Sequence, residues 1–95
     1  MNDNKLPDYL TESEGAVTIK LSRQADIAGA KVQTLKMREP LVRDDEAAQL
    51  SANGNGTAYE MTLFANLLDV SVDDLRNLTT RDYRRIAAAY GRFTD

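Results

Sequence analysis

The sequence predicts an α+β fold: an N-terminal β-hairpin packed on a small bundle of three to four short helices. Three observations carry this. Apolar residues recur at every second position before Pro40, and at the 3.6-residue spacing of helices after it. Signals for helix starts (an acidic cluster, then Thr and Ser caps) follow one another from Asp44 onward. The length, 95 residues, suits one hydrophobic core and not two.

Residues 1–15 offer Leu6, Tyr9 and Leu10 among Asn, Asp, Glu, Ser and Pro7. So little apolar surface does not offset the entropy of ordering, which predicts a disordered tail and a single domain over 16–95. From Ala16 to Ser22 alternation is strict: Val17, Ile19 and Leu21 share one face, with Thr18, Lys20 and Ser22 on the other. A second strand is expected from about Lys31 to Met37, with Leu35 and Met37 in phase and Val32 out of phase. That slip, near Gln33–Thr34, signals a β-bulge or a change of face. Asp26-Ile-Ala-Gly29 supplies the turn between the two strands.

Pro40 lacks the N–H a ladder needs and ends the second strand. Asp44, Asp45 and Glu46 gather where the dipole of a first helix favours negative charge, and that helix runs to Asn53. Two Asn-Gly steps, Asn53-Gly54-Asn55-Gly56, make a loop. Thr57 with Glu60 has the spacing of a capping box for the next helix, Ala58 to about Leu68. Its apolar residues form two stripes, Met61, Phe64, Ala65, Leu68 and Tyr59, Leu63, Leu67, which makes it the central helix. One stripe is expected on the hairpin (Val17, Ile19, Leu21) and the other on the terminal helix (Tyr83, Ile86, Tyr90), with Leu67 and Ile86 in the core. Ser71 with Asp74 starts a short helix to about Asn77, and Thr79 with Asp82 a longer one to about Arg92.

The absences narrow the chemistry. With zero histidine and zero cysteine, Ser-His and Cys-His catalysis and sulfur-based zinc sites are excluded. Asp44, Asp45 and Glu46 are adjacent on a helix, where side chains diverge by about 100° and do not converge on one ion. No catalytic residue, metal site or cofactor is expected. No apolar run approaches the ~20 residues of a membrane span, and the polar, acidic amino terminus does not read as a secretory signal. A cytosolic, non-enzymatic protein follows.

Net charge is −3, but segmented: −3 over residues 1–15, +4 over 16–43, −7 over 44–74 and +3 over 75–95. Either the basic ends fold against the acidic middle, or the surface is bipolar and steers a charged partner. Candidate partner-binding residues are Arg38, at the strand-to-helix corner, and Arg81, Arg85 and Arg92 on the last helix. Arg38 has a structural alternative as the partner of Glu39, Asp44 or Asp82, and the arginines of the last helix have one as a solvated face. Phe64 to Leu75 reads like a DNA-binding helix-turn-helix. Its second helix opens with Asp73 and Asp74, the wrong charge for phosphate.

Leu35-Lys-Met-Arg-Glu-Pro40, an Arg-Glu-Pro step closing a hairpin ahead of an acidic helix, resembles the small tail assembly chaperones of contractile-tailed phages. These are the E-type tail proteins also found in Mu-like prophages. The order that follows is similar too: Leu63-Phe-Ala-Asn-Leu-Leu, a Val-Ser corner, a Leu78-Thr step and an aromatic terminal helix. The likeness spans residues 16–93 and departs after Pro40, where Leu41-Val-Arg-Asp-Asp45 replaces a threonine, a Gly-Asp pair and an apolar residue. The resemblance implies a binding protein for the phage tape-measure protein or another tail protein. It would act in the host cytoplasm, with little or none in the finished virion. Nucleic acid and membrane are not expected partners, and self-association stays open. The alternatives are a helix-turn-helix-like phage regulator and a minor structural tail protein.

Overall fold

A computed structural model describes residues 6–94. Strands β1 (Leu10–Ser13), β2 (Ala16–Ile27) and β3 (Ala30–Arg38) precede helices α1 (Val42–Ala52), α2 (Gly56–Leu68), α3 (Val72–Arg76) and α4 (Thr80–Gly91). The strands form an antiparallel meander in the order β1-β2-β3. The fold is α+β as the sequence predicts, with one strand more than the hairpin.

That strand corrects the expected tail. Residues 1–5 lie outside the described residues, but Leu10 pairs with Ile19 and is buried, and Ser13 pairs with Ala16 across a two-residue turn. Gly15 turns there at φ +74°, open to glycine without strain. A single apolar side chain suffices because the sheet was already supplying a partner row, Leu10–Ile19–Leu35.

The β2–β3 hairpin holds two registers. Lys20 pairs with Thr34, but the next pair is Ala25 with Val32, so residues 21–24 stand opposite Gln33 alone. The irregularity falls where the sequence slips phase, and its extra residues lie on β2. Gln33 Nε2 bridges it by donating to the Leu21 carbonyl at 2.8 Å. The hairpin turns through Ala28 (φ +53°) and Gly29 (φ +83°), a two-residue loop with both residues left-handed, as the twist of the strands requires.

Val17, Ile19, Leu21, Leu35 and Met37 are buried on one face of the sheet. Over this face α4 lies against β2 and α2 against β3, with α1 packed on α2. Both stripes of α2 are closed: Leu63, Phe64, Ala65, Leu67 and Leu68 are buried, Met61 and Tyr59 half-buried. The Phe64 ring sits 5.7 Å from that of Tyr83 and 5.3 Å from that of Tyr90. Ile86 is fully buried.

The caps differ in one place. Ser71 and Thr79 cap α3 and α4, accepting from the N–H groups of Asp74 and Asp82. For α2 the cap is Asn55, whose Oδ1 accepts from Ala58 N at 3.0 Å, and not Thr57. The helix therefore begins at Gly56, and Glu60 is free to accept from the Tyr83 hydroxyl at 2.8 Å. Burial and that bond together raise the Tyr83 pKa.

Candidate functional site

Each sequence-derived arginine can be located. At the end of β3, Arg38 donates twice to Asp44, Nη1 to Oδ2 and Nη2 to Oδ1, both at 2.8 Å. Asp44 is the third residue of α1, and its Oδ2 also accepts from Leu41 N at 2.8 Å. The Arg38 guanidinium and then the Leu41 N–H lower its pKa to about 2. Of the three candidate partners for Arg38, Asp44 is the one engaged, and the contact is a clasp between strand and helix.

Neighbouring carboxylates have work of their own. Asp45 accepts from the Tyr59 hydroxyl and, at 3.1 Å, from Gln49 Nε2. The hydrogen bond to Asp45, then burial and the carboxylate's charge, push the Tyr59 pKa up to about 12. Asp44 and Asp45 therefore tie α1 to β3 and to α2, and among the described residues no group of carboxylates is placed to hold a metal ion.

At the C-cap of α4, Arg92 Nε meets Glu12 Oε2 at 2.9 Å and ties the helix end to β1. Arg85 lies 4.5 Å over the Tyr9 ring and donates to the Lys20 carbonyl at 2.8 Å. Glu12 and Tyr9 come from the segment expected to be a tail, so sequence spacing gave no sign of these two contacts. Asp82, offered by the sequence as a capping residue and a candidate partner of Arg38, has a different partner. It is buried, and its Oδ1 accepts from Ser22 N at 2.8 Å, a donor that the irregularity in β2 turns away from the strand ladder.

Arg81 differs from the other three. It is exposed, and no ion pair links Arg81, Arg84 or Arg23 to a carboxylate among the described residues. Three adjoining depressions meet at Arg81, the widest about 460 Å³. Their walls bring together Tyr9, Lys20, Arg23, Arg81, Arg84 and Arg85, with Asp8 the acid on the rim. An open concavity of this kind suits carboxylates on a protein partner and lacks the convergent acid, base and nucleophile of a reaction centre. The α2–α3 corner offers less for DNA: α3 has five residues, and Arg76 stands 4.0 Å from Asp73 beside it.

The sequence profile of the family described as phage tail assembly chaperone proteins, E, or 41 or 14, matches residues 18–95. The chain belongs to this family. The match begins inside β2 and takes in β3 and all four helices, so both the clasp and the basic concavity lie within it apart from Tyr9 and Asp8. No match is found among curated proteins or among solved structures. A tail assembly chaperone has other tail proteins as its partners, and no helix among the described residues is long and apolar enough to cross a membrane.

Proposed function

We propose that this chaperone binds the phage tape-measure protein during tail morphogenesis. It acts as a non-enzymatic escort in the host cytoplasm and is scarce or absent in the finished particle. The family match over residues 18–95 carries the reading. The open arginines Arg23, Arg81 and Arg84 support it, since they offer a client charge-guided capture. Arg38, Arg85 and Arg92 contribute by holding the scaffold that presents them.

The test is co-expression with the tape-measure protein of the same tail gene cluster, followed by affinity purification of the chaperone. The two proteins should be recovered together, and less so as salt rises. Arg81→Glu with Arg84→Glu should reduce recovery while leaving the melting temperature near that of the parent. A parent chain that retains no tape-measure protein overturns the reading. A gel shift with duplex DNA that survives moderate salt would favour a regulator instead. Stoichiometric amounts in purified virions would make the chain a structural tail protein.

A further inference from the structure

Two identical dipeptides, Asn53-Gly54 and Asn55-Gly56, lie at the corner between α1 and α2, and the fold treats them differently. All four residues are exposed to water. Asn53 closes α1 in the left-handed region (φ 52°, ψ 45°), and its N–H donates to the Gln49 carbonyl at 3.2 Å. Its carboxamide has no hydrogen-bond partner among the described residues. Asn55 instead opens α2. Its Oδ1 accepts from Ala58 N at 3.0 Å and its backbone carbonyl from Tyr59 N at 2.9 Å. Nothing crowds Gly54, since the position a Cβ would take has no atom within 4 Å.

We propose that Asn53 is a site of spontaneous covalent modification, converted through a cyclic imide to aspartate and isoaspartate, while Asn55 is protected. In the first step the Gly54 nitrogen bonds to Asn53 Cγ, unobstructed because glycine has no Cβ. The Cγ–Nδ2 bond breaks, and ammonia leaves with the proton from the Gly54 nitrogen. In the second step water opens the imide. Cleavage of its N–Cγ bond gives aspartate; cleavage of the bond between the nitrogen and the Asn53 backbone carbonyl carbon gives isoaspartate, whose main chain runs through Cγ. Water is the co-reactant, and nothing is oxidised or reduced. The ring closes only when the glycine nitrogen eclipses Cβ about the Cα–C bond. Neither asparagine is so placed in the fold, with ψ 45° at Asn53 and 113° at Asn55, so each must first leave its position. For Asn53 this gives up its bond to Gln49 and the turn bond from Asn55 N to the Ala52 carbonyl at 3.1 Å, both at a frayable helix end. For Asn55 it also removes the cap of α2 and the Tyr59 bond. The product loosens the end of α1. Either product places a carboxylate at the negative end of the helix dipole, and isoaspartate adds a main-chain atom where the left-handed cap stood. A newly made chain thus has α1 closed and an old one has its last turn frayed, whatever client the chaperone escorts.

The test follows the purified full chain in mildly alkaline buffer by peptide mapping, with fragmentation that resolves residue 53 from residue 55. An isoaspartyl methyltransferase serves as a second reader of the product. In the folded chain Asn53 should be modified about tenfold or more faster than Asn55; in urea, where both steps are unfolded, the rates should agree within about twofold. Asn53→Gly suits the left-handed cap, so it should abolish most ammonia release with a melting temperature no lower than the parent's. Asn55→Asp keeps an acceptor at the α2 cap and should leave the rate at Asn53 unchanged. Aged chain should exchange the amides of Ser51 and Ala52 faster than fresh chain, with Ile86 unaffected. Equal rates at the two asparagines in the folded chain, or a faster Asn55, overturn the proposal. So does a folded chain in which both steps stay intact while the chain in urea is modified. Exchange at Ser51 and Ala52 that does not change with age overturns the loosening of α1.

Discussion

Helices α1 and α4 are nearly equal in length, and each places an aspartate as its third residue that reaches out of the helix. Asp44 takes the Arg38 guanidinium at the end of β3, and Asp82 takes the Ser22 N–H in β2. Beyond that they are opposites. Helix α4 turns Ile86 and Ala89 into the core and half-buries Tyr83 and Tyr90 around Phe64. Helix α1 turns in two alanines and leaves Val42 and Leu50 in water. Helix α4 rests chiefly on large apolar side chains, while α1 adds its polar ties to only two buried alanines, so the two should answer differently to truncation and to pH.

The largest contrast is in apolar truncation. Ile86→Ala, and Leu67→Ala in the helix it helps cover, should each cost ~2–5 kcal/mol in denaturant titrations. Midpoints equal to the parent's would mean that the α4 side is not held by its core. Next is Asp82→Ala, which removes the tie from a buried carboxylate to Ser22 N across the irregular strand, for a loss of about 1.5–3 kcal/mol. A loss no larger than that of an exposed residue would remove the parallel between the two aspartates.

Arg38→Ala should cost less, about 1–2 kcal/mol at neutral pH, because the arginine side chain is 49% exposed and water screens the pair. Its signature is in acid. Asp44 titrates at about 2 in the folded chain, below the ordinary carboxylate value, so the clasp contributes fully above about pH 4 and is lost as pH falls toward 2. The gap between parent and Arg38→Ala should close over that window. A gap that persists at pH 2 would show that the arginine acts by packing its stem and not by its charge. The smallest effect belongs to Leu50→Ala, within about 0.5 kcal/mol of the parent, since Leu50 supports nothing in the folded chain. A larger loss would break the contrast between the helices from the α1 side.

The sequence reveals the parts of this picture that depend on near neighbours. The change of period at Pro40, the Ser71 and Thr79 caps and the two stripes of α2 are all written within a few residues, and Arg38 with Asp44 is a pair six apart. Features built by distant segments are not legible. Ser22 and Asp82 are 60 residues apart, and Arg92 and Glu12 are 80 apart. Strand β1 was hidden because Leu10 is followed by Thr11, Glu12 and Ser13, a pattern that pairing with Ile19 stabilises and periodicity does not register. The α2 cap was misplaced because Asn55 sits in an Asn-Gly step, which signals a turn as strongly as it signals a cap.

The double register of the β2–β3 hairpin also divides the sheet in time. The base, residues 16–20 against 34–38, lies under α2 and α4, with β1 beside part of it. The tip, residues 25–27 against 30–32, is joined to the base through the unpaired stretch 21–24 and has no large side chain fully buried. The ladder is interrupted between them, so opening one half does not require opening the other. Amide protons of the tip should exchange with solvent through local fraying, while those of Val17, Ile19 and Leu35 wait for the whole domain to unfold. The hairpin is thus one covalent ribbon with two lifetimes.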